Sequence, residues 1–498
     1  MLIPKASHHT LLGGRAIAAC HRDPAGLGTE ARTGQTRHAD APRMAGGGIG
    51  QPAARQFQTT HEGRRNRMSA EQPTARRPYL VGVVLAIFFV IALLTNILGP
   101  IIPDIIRSFH LTLTAAGFLP FAFFIAYGVA SIPSGILVEW LSEKKVILAG
   151  FGLAFAGALF FALVPVYPVA ITSLFLIGAG MALLQVAINP LLRVAGGSEH
   201  FAFNATLSQL VFGCASFISP LVYSYLVRSL ESGAPHRSGA LLGMLAAIVP
   251  SGLAWISVYW LLAAVSIVMV ALLALIHFPQ VKRQEDEKSG NWQTHLSVFR
   301  MPVVLLFFAS TFAYVGAEQG TANWMSQFLA TYHHRDPQTT GALAVSWFWG
   351  LMTVGCVIGV MLLRWFDSRK VLIGGSCLTL VMLTLAVFGT DAVSVVAFPL
   401  VGLGASAMWP MIVSLGLNSV SERHGTVSGI LCTGIAGGAV VPLGIGYLSD
   451  HFGLRVGIML LYLAFGWVLS IGFWANPIVN NETVGSRPQA KEQRAPAI

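Results

Sequence analysis

The sequence predicts an all-α membrane protein, with twelve transmembrane helices in two pseudo-symmetric six-helix bundles. Three observations carry this. First, only 10% of the chain is charged and 54% is hydrophobic, whereas soluble domains are about 25% charged. Second, apolar runs recur from Tyr79 onward, each near the ~20 residues that span bilayer hydrocarbon. Third, the later runs echo the earlier ones. "LVEWLSEKKVILAG" (137–150) returns as "LLRWFDSRKVLIGG" (362–375), with Trp140, Lys145 and Val146 matched by Trp365, Lys370 and Val371 at an offset of 225. One run later "LIGAGMALLQ" (176–185) returns as "LVGLGASAMW" (400–409) at an offset of 224. Duplicated halves of this kind build secondary transporters, with the substrate near the midplane between them.

In chain order, residues 1–75 are rich in Gly, Arg, His and Pro, lack periodicity, and read as a disordered tail. They have no apolar run of a signal peptide, and Met68 is the expected initiator, residues 1–67 being an over-extended start, with a regulatory tail as the alternative. The first bundle is expected over 76–280, a cytoplasmic linker over 281–300, the second bundle over 301–477 and a disordered tail over 478–498. The spans fall at about 79–103, 114–138, 145–164, 168–192, 203–227 and 252–277, then 301–330, 339–364, 370–389, 392–418, 426–448 and 455–476.

An even number of spans puts both termini on one side. The loops on that side carry eleven Lys and Arg against five opposite, which orients the termini to the cytoplasm of an inner membrane. The net charge of +10 thus reads as topology signal and not as a nucleic-acid footprint. The five cysteines are scattered singly, without disulfide or metal-ligand spacing, so neither metal nor cofactor is expected. No base–nucleophile constellation suggests an enzyme.

The loop residues Gly135, Leu137, Glu139, Lys144 and Lys145 have the form G-x-L-x-[DE]-x-x-x-x-[KR]-[KR]. They resemble the signature loop of the major facilitator superfamily, which implies that Gly135, Glu139, Lys144 and Lys145, with Arg369 and Lys370 in the repeat, form a conformational latch. Gly135 would admit a close helix neighbour. Four further stretches, "GAGMALLQVAINPLL" (178–192), "YVGAEQGTANW" (314–324), "MWPMIVSLGL" (408–417) and "SGILCTGIAGGAVVP" (428–442), are similar to motifs of the fucose–proton symporter family, glucose/galactose branch. The resemblance implies the major facilitator fold and sugar transport. Asn96 and Gln185 stand where the fucose branch has carboxylates, and Cys356 stands where the family has an arginine.

A neutral sugar needs amides, which donate and accept at once, and aromatic rings against its apolar face. The candidate substrate-binding residues are Asn96, Gln185, Asn189, Gln209, Gln319, Asn323, Trp324 and Trp409. Asn189, before Pro190, reads equally as part of a helix kink, and Trp409, before Pro410, equally as packing. No Lys or Arg lies near the middle of a span, which argues against an anionic cargo. Glu318 is read as the one carboxylate near mid-membrane, with Asp104, Glu139 and Asp391 at helix ends. Burial penalises the charged form of a carboxyl, so Glu318 is the candidate cation-coupling residue, its alternative being a permanently protonated packing group.

The expected partners are a hexose-type sugar, H+ or Na+ as coupling ion, and the lipid bilayer, with the chain acting as a monomer. An efflux carrier for amphipathic molecules and a non-transporting sugar sensor are the competing readings.

Overall fold

The computed structural model describes residues 78–196, 201–232, 239–278, 297–420 and 423–478. The expectations for residues 1–75, for Met68, for linker residues 281–296 and for the tail beyond 478 lie outside them. Among the described residues all regular structure is helical. Twelve helices are long and apolar enough to cross a membrane: α1 (Tyr79–Phe109), α2 (Leu113–Val138), α3 (Glu143–Leu163), α4 (Tyr167–Leu192), α5 (Phe203–Glu231), α6 (Ala254–Leu275), α7 (Pro302–His333), α8 (Pro337–Leu362), α9 (Ser368–Phe388), α10 (Asp391–Asn418), α11 (Thr426–Phe452) and α12 (Leu454–Trp474). The chain enters α1 and leaves α12 on one face, here the terminal face; the opposite one is the far face. A short helix at Ala240–Ile248, ahead of Pro250, was not anticipated.

Helices α1, α10, α11 and α12 are interrupted, and proline explains the breaks in α1 and α10. The first ends at Asn96 and resumes at Leu98; Pro100 has no N–H to give the Asn96 carbonyl four residues back. In α10 the break lies between Ala405 and Met408, where Pro410 leaves the Ser406 carbonyl free in the same way. Helix α1 then continues through Pro103 to Phe109. That corrects the reading of Asp104 as a helix-end residue. It lies inside the helix, buried, and takes hydrogen bonds from the Tyr223 hydroxyl and the Arg107 guanidinium.

The sequence repeat reappears as repeated contacts. A Cβ added to Gly178 of α4 would lie 2.1 Å from the Phe123 carbonyl oxygen of α2, and one on Gly402 of α10 would lie 2.3 Å from that of Phe348 in α8. Likewise Gly180 would meet the Gly150 oxygen at 2.5 Å and Gly404 the Gly375 oxygen at 2.9 Å. Both members of each contact are related by the offsets found in the sequence. The glycine echo is thus the imprint of two close helix crossings, each built twice, as expected where helices pack without a hydrophobic drive.

The halves meet along two seams, α2 with α11 and α5 with α8, and where α1 crosses α7 at Gly99 and Ala322. On α2 one stripe of the helix runs through Gly117, Gly128 and Gly135, seven or more residues apart. A Cβ on Gly117 would be 3.0 Å from the Leu443 Cα, and one on Gly128 would be 3.3 Å from the Ala436 Cβ. A Cβ added to Gly135, or to Gly429 on α11, would meet no heavy atom of the described residues within 4 Å. The helices therefore touch from mid-membrane to the far face and part toward the terminal face. The other seam does the same: Ser346 Oγ donates to the Phe217 carbonyl at 2.5 Å and Gly213 abuts Thr353, whereas Phe203, nearer the terminal face, is 69% exposed. The conformation is closed at the far face and open at the terminal one.

Candidate functional site

The α10 break organises the surroundings of Glu318. Normal helix bonding leaves no carbonyl free in mid-helix, so the two freed here need outside partners. The Tyr314 hydroxyl donates to the Ala405 oxygen at 3.2 Å, and the Cys356 thiol donates to the Ser406 oxygen at 3.1 Å. Tyr314 precedes Glu318 by one helical turn, which puts both on one face of α7, and its hydroxyl also hydrogen-bonds the Glu318 carboxyl. Gln319 Nε2 donates to Glu318 Oε1 at 3.2 Å. Trp409, half-buried at the break, lies against Tyr314 with ring centroids 6.2 Å apart. Glu318 thus sits among a phenol, an amide and a thiol. Cys356 occupies the position at which the resemblance leads one to expect a guanidinium.

The other sequence candidates divide into three groups. Gln319 is buried, its side chain against Gly438 of α11, which also meets Phe124 of α2. Asn96, at the α1 break, is 4% exposed and donates its Nδ2 to Ser216 Oγ of α5 at 2.8 Å, while its Oδ1 has no hydrogen-bond partner. Gln185 is half-buried on α4. These three and Trp409 remain compatible with a central site. Gln209 is exposed on α5, one turn from Gly213 toward the open face, so it belongs to the mouth of the seam and not to its closed part. The Asn189 side chain lies outside the described residues.

Two candidates are structural. The Trp324 ring is fully buried, donates Nε1 to the Pro442 oxygen at 3.0 Å and packs on Gly446. It therefore pins α7 to α11 and is not available to stack on a ligand. Asn323 gives its Nδ2 to the Gln319 carbonyl of its own helix at 2.8 Å, beside the contact between Gly99 and Ala322.

Sequence reasoning missed Tyr314 and the role of Cys356, and it counted Trp349 among the indoles of the spans without making it a candidate. The four-residue spacing of Tyr314 and Glu318 was the available signal for the first. Trp349 is buried on α8 between the Ser346 and Thr353 contacts with α5, and its Nε1 has no partner.

In the expected latch, the cations do something else. Lys144 Nζ donates to the Ala274 and Ile276 oxygens at 2.8 and 2.7 Å, at the end of α6. Its repeat mate Arg369 donates to the Ala475 oxygen at 3.3 Å, at the end of α12, and to Asp367. Each half thus uses this residue to satisfy the free carbonyls and negative dipole end of its own sixth helix. Gly135 has no close neighbour among the described residues, because α2 and α11 have parted there. Lys145 and Lys370 are exposed, and the Glu139 side chain lies outside the described residues.

Fold and site together define a multi-pass membrane transporter built from two like halves. Residues 84–442 match the model of the Major Facilitator Superfamily. The chain is 30% identical over 365 residues to a glucose/galactose transporter of Brucella abortus, covering 72% of this chain and 84% of that one. It is 28% identical over 386 residues to the L-fucose-proton symporter of Escherichia coli, covering 74% and 86%. A crystal structure of the E. coli fucose:proton symporter FucP superposes on 80% of this chain and 98% of that chain, with a TM-score of 0.56 at 23% identity. The chain belongs to the Major Facilitator Superfamily, whose members are transporters and not enzymes.

Proposed function

We propose that the protein imports a neutral hexose-type sugar across the cytoplasmic membrane by alternating access, with both termini in the cytoplasm and Glu318 coupling the movement to H+ or Na+. One observation carries the cargo assignment. Beside the α5–α8 seam a buried acceptor, Oδ1 of Asn96 on α1 next to Ser216, and a buried donor, Nε1 of Trp349 on α8, both lack hydrogen-bond partners among the described residues. An unpaired buried polar group costs about 1–3 kcal/mol, a cost removed when a ligand that both donates and accepts, such as a sugar hydroxyl, takes the place. The lack of any mid-span Lys or Arg favours a neutral cargo, and the names of the relatives point to hexoses.

The coupling reading rests on Tyr314. Its hydroxyl has one hydrogen. When Glu318 is protonated it can donate to the phenol oxygen, which in turn holds the Ala405 carbonyl. When Glu318 is ionised or carries a bound cation, the balance of these bonds changes at the break in α10. The coupling ion thereby acts on the one point where that helix is already divided.

The test is counterflow in proteoliposomes with labelled D-glucose, D-galactose, D-mannose and L-fucose. Exchange of at least one hexose is expected, together with a tenfold or greater rise in its KM for Trp409→Ala. Broad exchange of amphipathic solutes would instead favour an efflux carrier, and binding without exchange would favour a sensor.

A further inference from the structure

At the far face, hydrogen-bonded contacts join the halves at both seams, between helices that the repeat relates. At the first seam Asp450, in the last turn of α11, accepts from the Leu113 N–H with Oδ1 and from the Thr114 N–H with Oδ2, both at 2.8 Å. These two amides belong to the opening turn of α2, whose N–H groups have no partner within the helix and whose dipole favours an anion. At the second seam Gln338, in the opening turn of α8, donates Nε2 to Oε1 of Glu231, the last residue of α5, at 3.1 Å. The same Nε2 lies 3.5 Å from Oδ2 of the buried Asp104.

The offset of 225 that aligns the halves carries Leu113 onto Gln338, and α5 is to the first half what α11 is to the second. Each seam therefore ends in the same way. A carboxylate closing the fifth helix of one half is fastened to the first turn of the second helix of the other. At the terminal ends of α2 and α11, a Cβ added to Gly135 or Gly429 would meet no heavy atom of the described residues within 4 Å. The fastening is at one face and the gap at the other.

We propose that Asp450 and Glu231, which close corresponding helices without being equivalent positions of the repeat, are positioning residues for the transport cycle, holding the far face closed while the terminal face is open. Both must release before α2 can part from α11, and α5 from α8, on the far side. Asp450 is exposed, so water competes for its oxygens and the fastening stays reversible. The inference rests on the alternating-access reading but not on the identity of the sugar.

The test is hydrogen–deuterium exchange of the full-length protein in lipid nanodiscs without sugar, comparing wild type with Asp450→Asn and Glu231→Gln. Either substitution removes one charge-assisted contact, and a shift of about tenfold in the ratio of the two conformations is expected, equivalent to about 1.4 kcal/mol. Exchange should rise at the openings of both α2 (111–120) and α8 (337–345). It should fall at the terminal-face ends of α2 (132–141) and α11 (426–433). A merely local cap would raise exchange only beside the substituted residue, and that result would overturn the proposal. Should Asp450→Asn fail to fold, Glu231→Gln decides by the same criterion. Because no sugar is present, failure of the cargo assignment leaves this readout unchanged.

Discussion

Glu318→Gln is expected to abolish uphill accumulation of sugar while leaving counterflow exchange intact. The substitution keeps the shape of the side chain and its hydrogen bonding to Tyr314 and Gln319, so the binding geometry and the conformational cycle survive. What it removes is the ability to take up and release a proton or hold a cation. One charge moved inward gains about 2.3 kcal/mol per 100 mV of membrane potential, and at about 1.4 kcal/mol per decade this sustains a gradient of a few tens-fold. In the variant the internal-to-external ratio should fall to unity in proteoliposomes with an imposed proton or sodium gradient, at near wild-type exchange rates. Uphill uptake that survives the change would place the coupling group elsewhere.

Gly178→Val and Gly402→Val should each cost the protein its fold or much of its thermal stability. The added Cβ alone would lie 2.1 or 2.3 Å from a carbonyl oxygen of the neighbouring helix, and backbone cannot move aside as a flexible side chain can. Overpacking a tight core costs about 1–3 kcal/mol, and valine adds two methyl groups beyond that first carbon. Gly135→Ala and Gly466→Ala, where a Cβ meets nothing within 4 Å, serve as controls and should be near neutral. Melting followed by fluorescence-detected gel filtration separates the two classes. Equal damage at all four positions would mean that generic helix effects, and not the crossings, dominate.

The spans were legible because hydropathy and length suffice to define them, and each expected span overlaps one helix of the structure. Their ends were less so. Pro103 and Asp104 read as a terminus, but Tyr223 and Arg107 satisfy the carboxylate and the helix runs on to Phe109. At the site, Glu318 stood out because charge is rare in an apolar run. Its partners did not, since a tyrosine, a cysteine and a divided helix acquire meaning only when α7, α8 and α10 are brought together. The misreading of Trp324 has the same origin. An indole near the polar residues of α7 fits a sugar platform, yet the helical turn carries its ring toward Pro442 and Gly446. Neither Asp450 nor Glu231 was singled out, because each lies at a span end where acids are commonplace.

The doubled crossings of α4 on α2 and of α10 on α8 have one more consequence. Positions under that constraint keep their glycine in both copies, whereas Gln185 and Trp409 occupy equivalent places in the repeat and no longer match. Strict duplication would present identical walls to a guest, which could then lodge either way round. With an amide on one wall and an indole on the other, a pyranose would have a reason to prefer one orientation, hydroxyl rim toward the first and C–H face toward the second. Divergence between twin halves thus supplies the single sense of seating that an unsymmetrical cargo demands.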